Sequence, residues 1–155
     1  VLIVQGLSRF WDERLMARFK RSIPDVVERV RFLPRLKYED FQGLTAGCDV
    51  MLDPLHFGGG NTSYEAFAFG VPVVTMPSKL LRGRITLAQY QMMGVGDCIA
   101  ESAEDYVRIA TEIGMNRDRR EEVSGKINGA SSVLFENRTA VMELADFFRR
   151  AVGLR

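Results

Sequence analysis

Cys48-Asp49-Val50-Met51-Leu52-Asp53, then Gly58-Gly59-Gly60-Asn61-Thr62-Ser63-Tyr64-Glu65, then Ala66-Phe67-Ala68-Phe69: an apolar run, a glycine loop and the opening of a helical segment follow in that order. A strand–loop–helix unit of this kind is what an anion site requires. Glycines lack the Cβ that would keep an anion from the backbone N–H groups. The helix that follows adds its unpaired first-turn N–H groups and the positive end of its dipole.

Working outward from the loop, short apolar runs alternate with helical periods. Upstream, Val1-Leu2-Ile3-Val4-Gln5 reads as a strand, and Trp11, Leu15 and Phe19 recur at four-residue spacing in a helix closed by Pro24. Val30-Arg31-Phe32-Leu33 reads as a second strand, residues 38 to 46 as a helix, and 48 to 52 as a third strand. Downstream, a helix over 62 to 69 stops at Gly70, and Pro72 leads into the strand Val73-Val74-Thr75-Met76. A helix from about Ile85 to Met93 and a short strand Cys98-Ile99-Ala100 follow, and the remainder is helical. Strands too uniformly apolar to keep a wet face imply a parallel sheet covered on both sides. The expectation is an α/β protein with a Rossmann-like, doubly wound parallel sheet and a helical C-terminal extension. Ligands of such sheets bind beyond the carboxyl ends of the strands, and the glycine loop leaves a strand at such an end.

At 155 residues the chain is expected to form a single lobe over residues 1–155, and because Val1 already lies inside a strand-like run, a fragment of a longer protein. A net charge of +1 gives no sign of a nucleic-acid or acidic-membrane binder. No apolar run approaches the ~20 residues of a membrane span. Cys48 and Cys98 sit singly in apolar segments, not at ligand spacing, which fits reduced, buried thiols and a cytoplasmic protein.

The loop departs from the usual nucleotide fingerprints. Gly60-Asn61-Thr62 stands where a Walker loop needs Gly-Lys-Ser/Thr, and Ser63 stands where the dinucleotide pattern places its last glycine. Thr62-Ser63-Tyr64-Glu65 fits a capping box, with Thr62 as cap and Glu65 reaching back to it. A carboxylate at that depth in a phosphate-binding helix also suits ribose hydroxyls, and spacing alone leaves both readings open. His56, the only histidine, has no partner motif and reads as a surface-loop residue. Asp49 and Asp53 lie at opposite ends of one strand and do not form the close carboxylate pair of a metal-dependent sugar-nucleotide transferase, so no metal and no cofactor are expected.

Taken together, Leu33-Pro34-Arg35-Leu36-Lys37-Tyr38-Glu39-Asp40-Phe41, Asp49-Val50-Met51-Leu52-Asp53-Pro54 with the loop Gly58 to Glu65, and Gly70-Val71-Pro72-Val73-Val74-Thr75-Met76-Pro77 resemble the C-terminal half of the O-linked N-acetylglucosamine transferase and SPINDLY family, in its bacterial, repeat-containing type. The similarity continues through Arg84, Gln89 and Gly94 to Leu134-Phe135, covering nearly the whole chain.

The resemblance implies a GT-B glycosyltransferase whose C-terminal lobe holds the nucleotide-sugar donor, a UDP-sugar, with protein or peptide acceptors met by a lobe and tetratricopeptide repeats outside this chain. It places Gly60, Asn61, Thr62 and Ser63 at the diphosphate, Glu65 at the ribose, Phe41 stacked on the base, and Leu36 and Lys37 along the base edge; Gly58 and Gly59 join the substrate-binding set as glycines of the same loop. Arg84 is a weaker candidate for the same cleft. Where animal members carry His-Thr-Thr, this chain has Gly60-Asn61-Thr62, the family's base-contacting lysine falls at Tyr38, and a later arginine of that helix falls at Leu44. UDP-N-acetylglucosamine is favoured by the resemblance, and these departures leave GDP-fucose open. The chain alone is expected to lack transferase activity. A non-catalytic nucleotide-binding or scaffold domain is the alternative of a different class.

Overall fold

The computed structural model describes residues 1–6 and 8–153, and the backbone divides into two compact units, Val1–Leu44 and Thr45–Arg155.

The first unit is a βαβ crossover. Strand β1 (Leu2–Val4) pairs in parallel with β2 (Arg31–Leu33), Ile3 lying opposite Phe32. Between them run helix α1 (Arg9–Ser22) and a 3₁₀ segment (Pro24–Arg29), with Pro24 at its first position, where a missing N–H costs nothing. A parallel pair demands such a crossover, since its strands cannot be joined by a tight turn. Helix α2 (Tyr38–Ala46) then leads out of the unit.

The second unit repeats the scheme. Strand β3 (Met51–Leu52) pairs in parallel with β4 (Val73–Val74) across helix α3 (Asn61–Ala68). The run Cys48–Leu52 was expected to be strand throughout; only its last two residues form the ladder, flanked by Met51 N–H to Pro72 O (2.8 Å) and Asp53 N–H to Val74 O (2.9 Å). Cys98-Ile99-Ala100 joins the far side of β4 as one parallel bridge, Thr75 to Ile99, with Ala100 N–H on Thr75 O at 2.8 Å.

Helix α3 ends as its sequence predicts. Gly70 takes φ +70°, its N–H reaches Phe67 O (3.1 Å), and Val71 N–H reaches Ala66 O (2.9 Å), the reciprocal pattern of a Schellman stop. Its start does not. Gly60, not Thr62, is the N-cap, and no side chain caps it, so the capping-box reading of Thr62 and Glu65 is replaced by a backbone start in which Gly60 O accepts from Ser63 N–H (3.1 Å) and Tyr64 N–H (3.2 Å).

The core lies under β4 and α3. Phe67 and Tyr90 of α4 (Ile85–Met93) are fully buried and meet edge to face at 4.8 Å, and the Tyr90 hydroxyl accepts from Val73 N–H at 2.9 Å, pinning α4 to the sheet. Helix α5 (Ala103–Met115) contributes Ile109 and Ile113, and α6 (Arg117–Ala130) Val123 and Ile127, each pair at the four-residue spacing of one helix face. Side chains cap these helices: Ser102 accepts from Asp105 N–H and Asn116 from Arg119 N–H, both at 3.1 Å. Helix α7 (Arg138–Ala151) follows, capped in the same way by Asn137.

Candidate functional site

The loop after β3 is held from below by one carboxylate. Asp53, at the strand's carboxyl end, is buried; its Oδ1 accepts from Gly59 N–H at 2.6 Å and its Oδ2 from the Thr75 hydroxyl at 2.7 Å. Its backbone carbonyl accepts from the Tyr106 hydroxyl at 3.1 Å. Burial, and then the charge of Asp53, push Tyr106 up to about 12, so it stays a protonated donor. The neighbouring segment supplies a second anchor. Gly58 N–H donates to Arg82 O (2.8 Å), and Arg82 Nε donates back to His56 O (3.0 Å).

These contacts explain two of the three glycines. A Cβ on Gly58 would stand 3.0 Å from Asp53 Oδ1 and 3.1 Å from Oδ2; one on Gly59 would press into the Ser63 hydroxyl and lie 2.9 Å from that of Thr62. A Cβ on Gly60 would meet nothing. Space above the helix start is thus open only at the third glycine.

Hydrogen bonding divides the loop's donors in the same way. The N–H groups of Gly58, Gly59 and Ser63 all have partners within the chain. Those of Gly60, Asn61 and Thr62 have none among the described residues and stand together at the positive end of α3. The Ser63 hydroxyl is turned inward, fully buried, and pairs with Thr86 Oγ1 of α4 at 2.9 Å, which fixes the helix start to the next helix. Thr62 and Asn61 are exposed, and Glu65 is half-buried with no hydrogen-bond partner among the described residues.

The remaining expected residues make contacts of their own. The Arg84 guanidinium donates to Ser78 O at 3.2 Å, and its residue is the N-cap of α4. Leu36, Lys37 and Phe41 belong to the first unit: Leu36 and Phe41 are half-buried, Lys37 is exposed, and Phe41 N–H closes the first turn of α2 on Lys37 O at 2.9 Å. His56 is exposed. Asp49 pairs with Arg120 (3.1 Å), so the two carboxylates flanking β3 face different partners, and among the described residues no group of three or more His, Cys, Asp or Glu could hold a metal. No helix among the described residues is long and apolar enough to cross a membrane.

Sequence reasoning missed Asp53, Thr75 and Thr86 as parts of this site. Asp53 did carry a signal: a charged residue where an apolar strand ends in a glycine loop, the place where α/β folds collect function. Thr75 and Thr86 carried none, because their roles are set by partners more than 20 residues away, as the Thr75–Asp53 and Thr86–Ser63 bonds show.

The profile of glycosyl transferase family 41 matches residues 25–144. A UDP-N-acetylglucosamine–peptide N-acetylglucosaminyltransferase of Caenorhabditis elegans is 31% identical over 100 residues, 63% of this chain and 9% of its own length. A probable enzyme of the same description, SPINDLY, from Oryza sativa is 26% identical over 65% of this chain and 11% of its own. A solved mutant of the Thermobaculum terrenum O-GlcNAc transferase superposes on 96% of this chain with a TM-score of 0.81 at 26% identity, over 29% of its own chain. That superposition bears out the Rossmann-like α/β reading as part of a GT-B fold. The chain spans about a tenth of the length of the curated relatives it matches.

Proposed function

The chain belongs to glycosyl transferase family 41, and from that premise we propose that it is the donor-binding lobe of an inverting, metal-independent protein O-glycosyltransferase whose donor is UDP-N-acetylglucosamine. One observation carries the reading. Three adjacent N–H groups, of Gly60, Asn61 and Thr62, stand without partners among the described residues at the start of α3, beyond the carboxyl end of β3, with open space over Gly60.

In this reading a hydroxyl oxygen of a peptide acceptor attacks the anomeric carbon and its proton passes to a base. The bond from that carbon to the diphosphate oxygen breaks, and the nucleoside diphosphate leaves with the electron pair. Negative charge grows on the diphosphate as the bond lengthens. The N–H groups of Gly60, Asn61 and Thr62, the Thr62 hydroxyl and the helix dipole take up that charge; in enzymes that use such donors each is worth on the order of 2–4 kcal/mol. The Ser63 hydroxyl is engaged by Thr86, so its part is to hold the helix start in place. Gly58 and Gly59 serve by letting the loop pack on Asp53 and the Ser63 side chain. Glu65, one turn further, is free to accept from the ribose hydroxyls. Phe41 is assigned to the base face, Leu36 and Lys37 to its edge, and Arg84 to a lesser role at the rim. The engagement of Asp49 by Arg120 and of Asp53 by Gly59 and Thr75 supports giving the electrostatic work to the backbone.

Titrating the isotope-labelled chain with UDP and, separately, GDP tests the proposal. Saturable amide shifts at Gly60 to Thr62, Glu65 and Phe41 are expected, stronger with UDP. A preference for GDP would move the assignment to the fucose-transferring branch. No shift with either nucleotide at millimolar concentration would count against a donor site here.

A further inference from the structure

We infer that Asp53 is the positioning residue of the donor loop: its buried carboxylate, held by Thr75, fixes Gly59 and so aims the free N–H groups of Gly60, Asn61 and Thr62. The inference rests on the reading of that loop as the diphosphate site.

A triglycine run has no side chains to order it and loses more conformational freedom on folding than any other tripeptide. Something else must set its shape before a ligand arrives. Asp53 makes the only side-chain hydrogen bond to the backbone N–H groups of Gly58 to Thr62 among the described residues, and at 2.6 Å it is short, as charge-assisted bonds are. The carboxylate cannot drift, because its other oxygen accepts from the buried Thr75 hydroxyl and its own backbone is tied at both faces: Asp53 N–H to Val74 O, and Asp53 O to the Tyr106 hydroxyl. Gly58 is cut to the same fit, since any Cβ there would press on both carboxylate oxygens. The arrangement runs from β4 through Thr75 and Asp53 to Gly59, one residue before the free donors. Both oxygens of the carboxylate are turned to donors inside the protein.

Preorganisation of this kind acts on binding through the geometry of groups that Asp53 itself does not contribute. The test is UDP affinity by NMR titration of the 155-residue chain and of two variants. Asp53→Ala removes both bonds and is expected to weaken UDP binding about 10-fold or more while the dispersion of the core amides persists. Asp53→Asn retains a carbonyl oxygen for Gly59 N–H and is expected to recover affinity to within about threefold of the unchanged chain. D53A binding UDP as tightly as the unchanged chain would overturn the positioning role while leaving the donor site intact, and D53N as weak as D53A would overturn the hydrogen-bond basis of it. The unchanged chain supplies a reading that no misfolded variant can spoil. Its Gly59 amide should exchange with solvent slowly in the absence of nucleotide, those of Gly60 to Thr62 rapidly, and UDP should slow only the latter. Equal, rapid exchange at Gly59 and Gly60 would sink the inference. A chain with a protected Gly59 and no response to UDP or GDP would instead overturn the proposed function, and with it the role assigned to Asp53.

Discussion

The three glycines of the loop look interchangeable in sequence and differ in structure. At Gly59 a methyl group would press against the Ser63 and Thr62 hydroxyls; at Gly60 it would meet only open space. Gly59→Ala is therefore expected to destabilise the folded chain by about 1–3 kcal/mol, the usual cost of overpacking, and to disturb the Ser63–Thr86 pair. Gly60→Ala brings its methyl group against no other atom and should cost less stability than Gly59→Ala. Its effect belongs to the ligand: a Cβ over the free N–H groups stands where a diphosphate would sit, so UDP affinity should fall while the urea midpoint moves less than that of Gly59→Ala. Denaturation and nucleotide titration of the two variants check the contrast. A G60A chain that binds UDP normally would argue that no ligand approaches that face. Asp53 shows the limit of legibility at this scale. Its position at a strand end marked it, but a carboxylate's role depends on what it faces, and Thr75 lies 22 residues along the chain.

Between elements, the start of α3 is fastened to α4 by two buried hydroxyls, Ser63 and Thr86, 2.9 Å apart. Removing the Thr86 hydroxyl leaves that of Ser63 buried without its partner, which costs about 1–3 kcal/mol; removing that of Ser63 leaves Thr86 only a long bond to Gly59 O at 3.5 Å, and replacing both by apolar groups of like shape removes the orphan as well. Ser63→Ala and Thr86→Val are thus expected to destabilise singly and to be markedly non-additive together, the double variant lying close to the worse single one. Urea unfolding of the four chains measures the coupling, and strict additivity would show that the hydroxyls do not interact. Element by element, the helices were the most legible part of the sequence. Ile85–Met93 was read to the residue, and Gly70 as the stop of α3, because periodicity and a left-handed glycine are local properties. The strands were less so. Cys48–Leu52 and Cys98–Ala100 are apolar along their lengths, but a ladder exists only where a neighbour runs beside it, and that neighbour is chosen by the fold. The capping box puts the N-cap two residues late for a similar reason. Thr62 and Glu65 have capping-box spacing, yet the turn is already closed by the Gly60 carbonyl, and the chain enters the helix at Asn61.

Across the whole molecule burial is uneven, and so is its response to pH. Among the described residues of Val1–Leu44 only Val30 is buried, whereas Thr45–Arg155 encloses a continuous core containing Cys98 and Tyr90. Burial pushes the Cys98 thiol from its ordinary 9.0 up to about 11, and raises Tyr90 as well. A folded chain that holds these protons more tightly than the unfolded one gains stability that is complete below pH 9 and is lost as pH climbs towards 11. For Cys98 alone the shift corresponds to about 2–3 kcal/mol. Tyr106, at about 12 against 10.0, extends the loss above pH 11. On the acid side, burial works against the charge of Asp97, but hydrogen bonds from Lys126 and Arg119 outweigh it and hold the carboxyl below 3.8. Its contribution is present above that value and disappears as pH falls beneath it. Urea midpoints of the second unit's core should accordingly be flat from neutral pH to about 9 and then fall steeply. Cys98→Ala separates the thiol from the tyrosines: it lowers stability at every pH by the cavity it leaves, but it removes one proton from the balance, so its decline between pH 9 and 11 should be shallower than that of the unchanged chain. Parallel curves through that interval would mean that the Cys98 thiol ionises as readily in the folded protein as in the unfolded, and that the packing of β4 against α4 admits water at its centre.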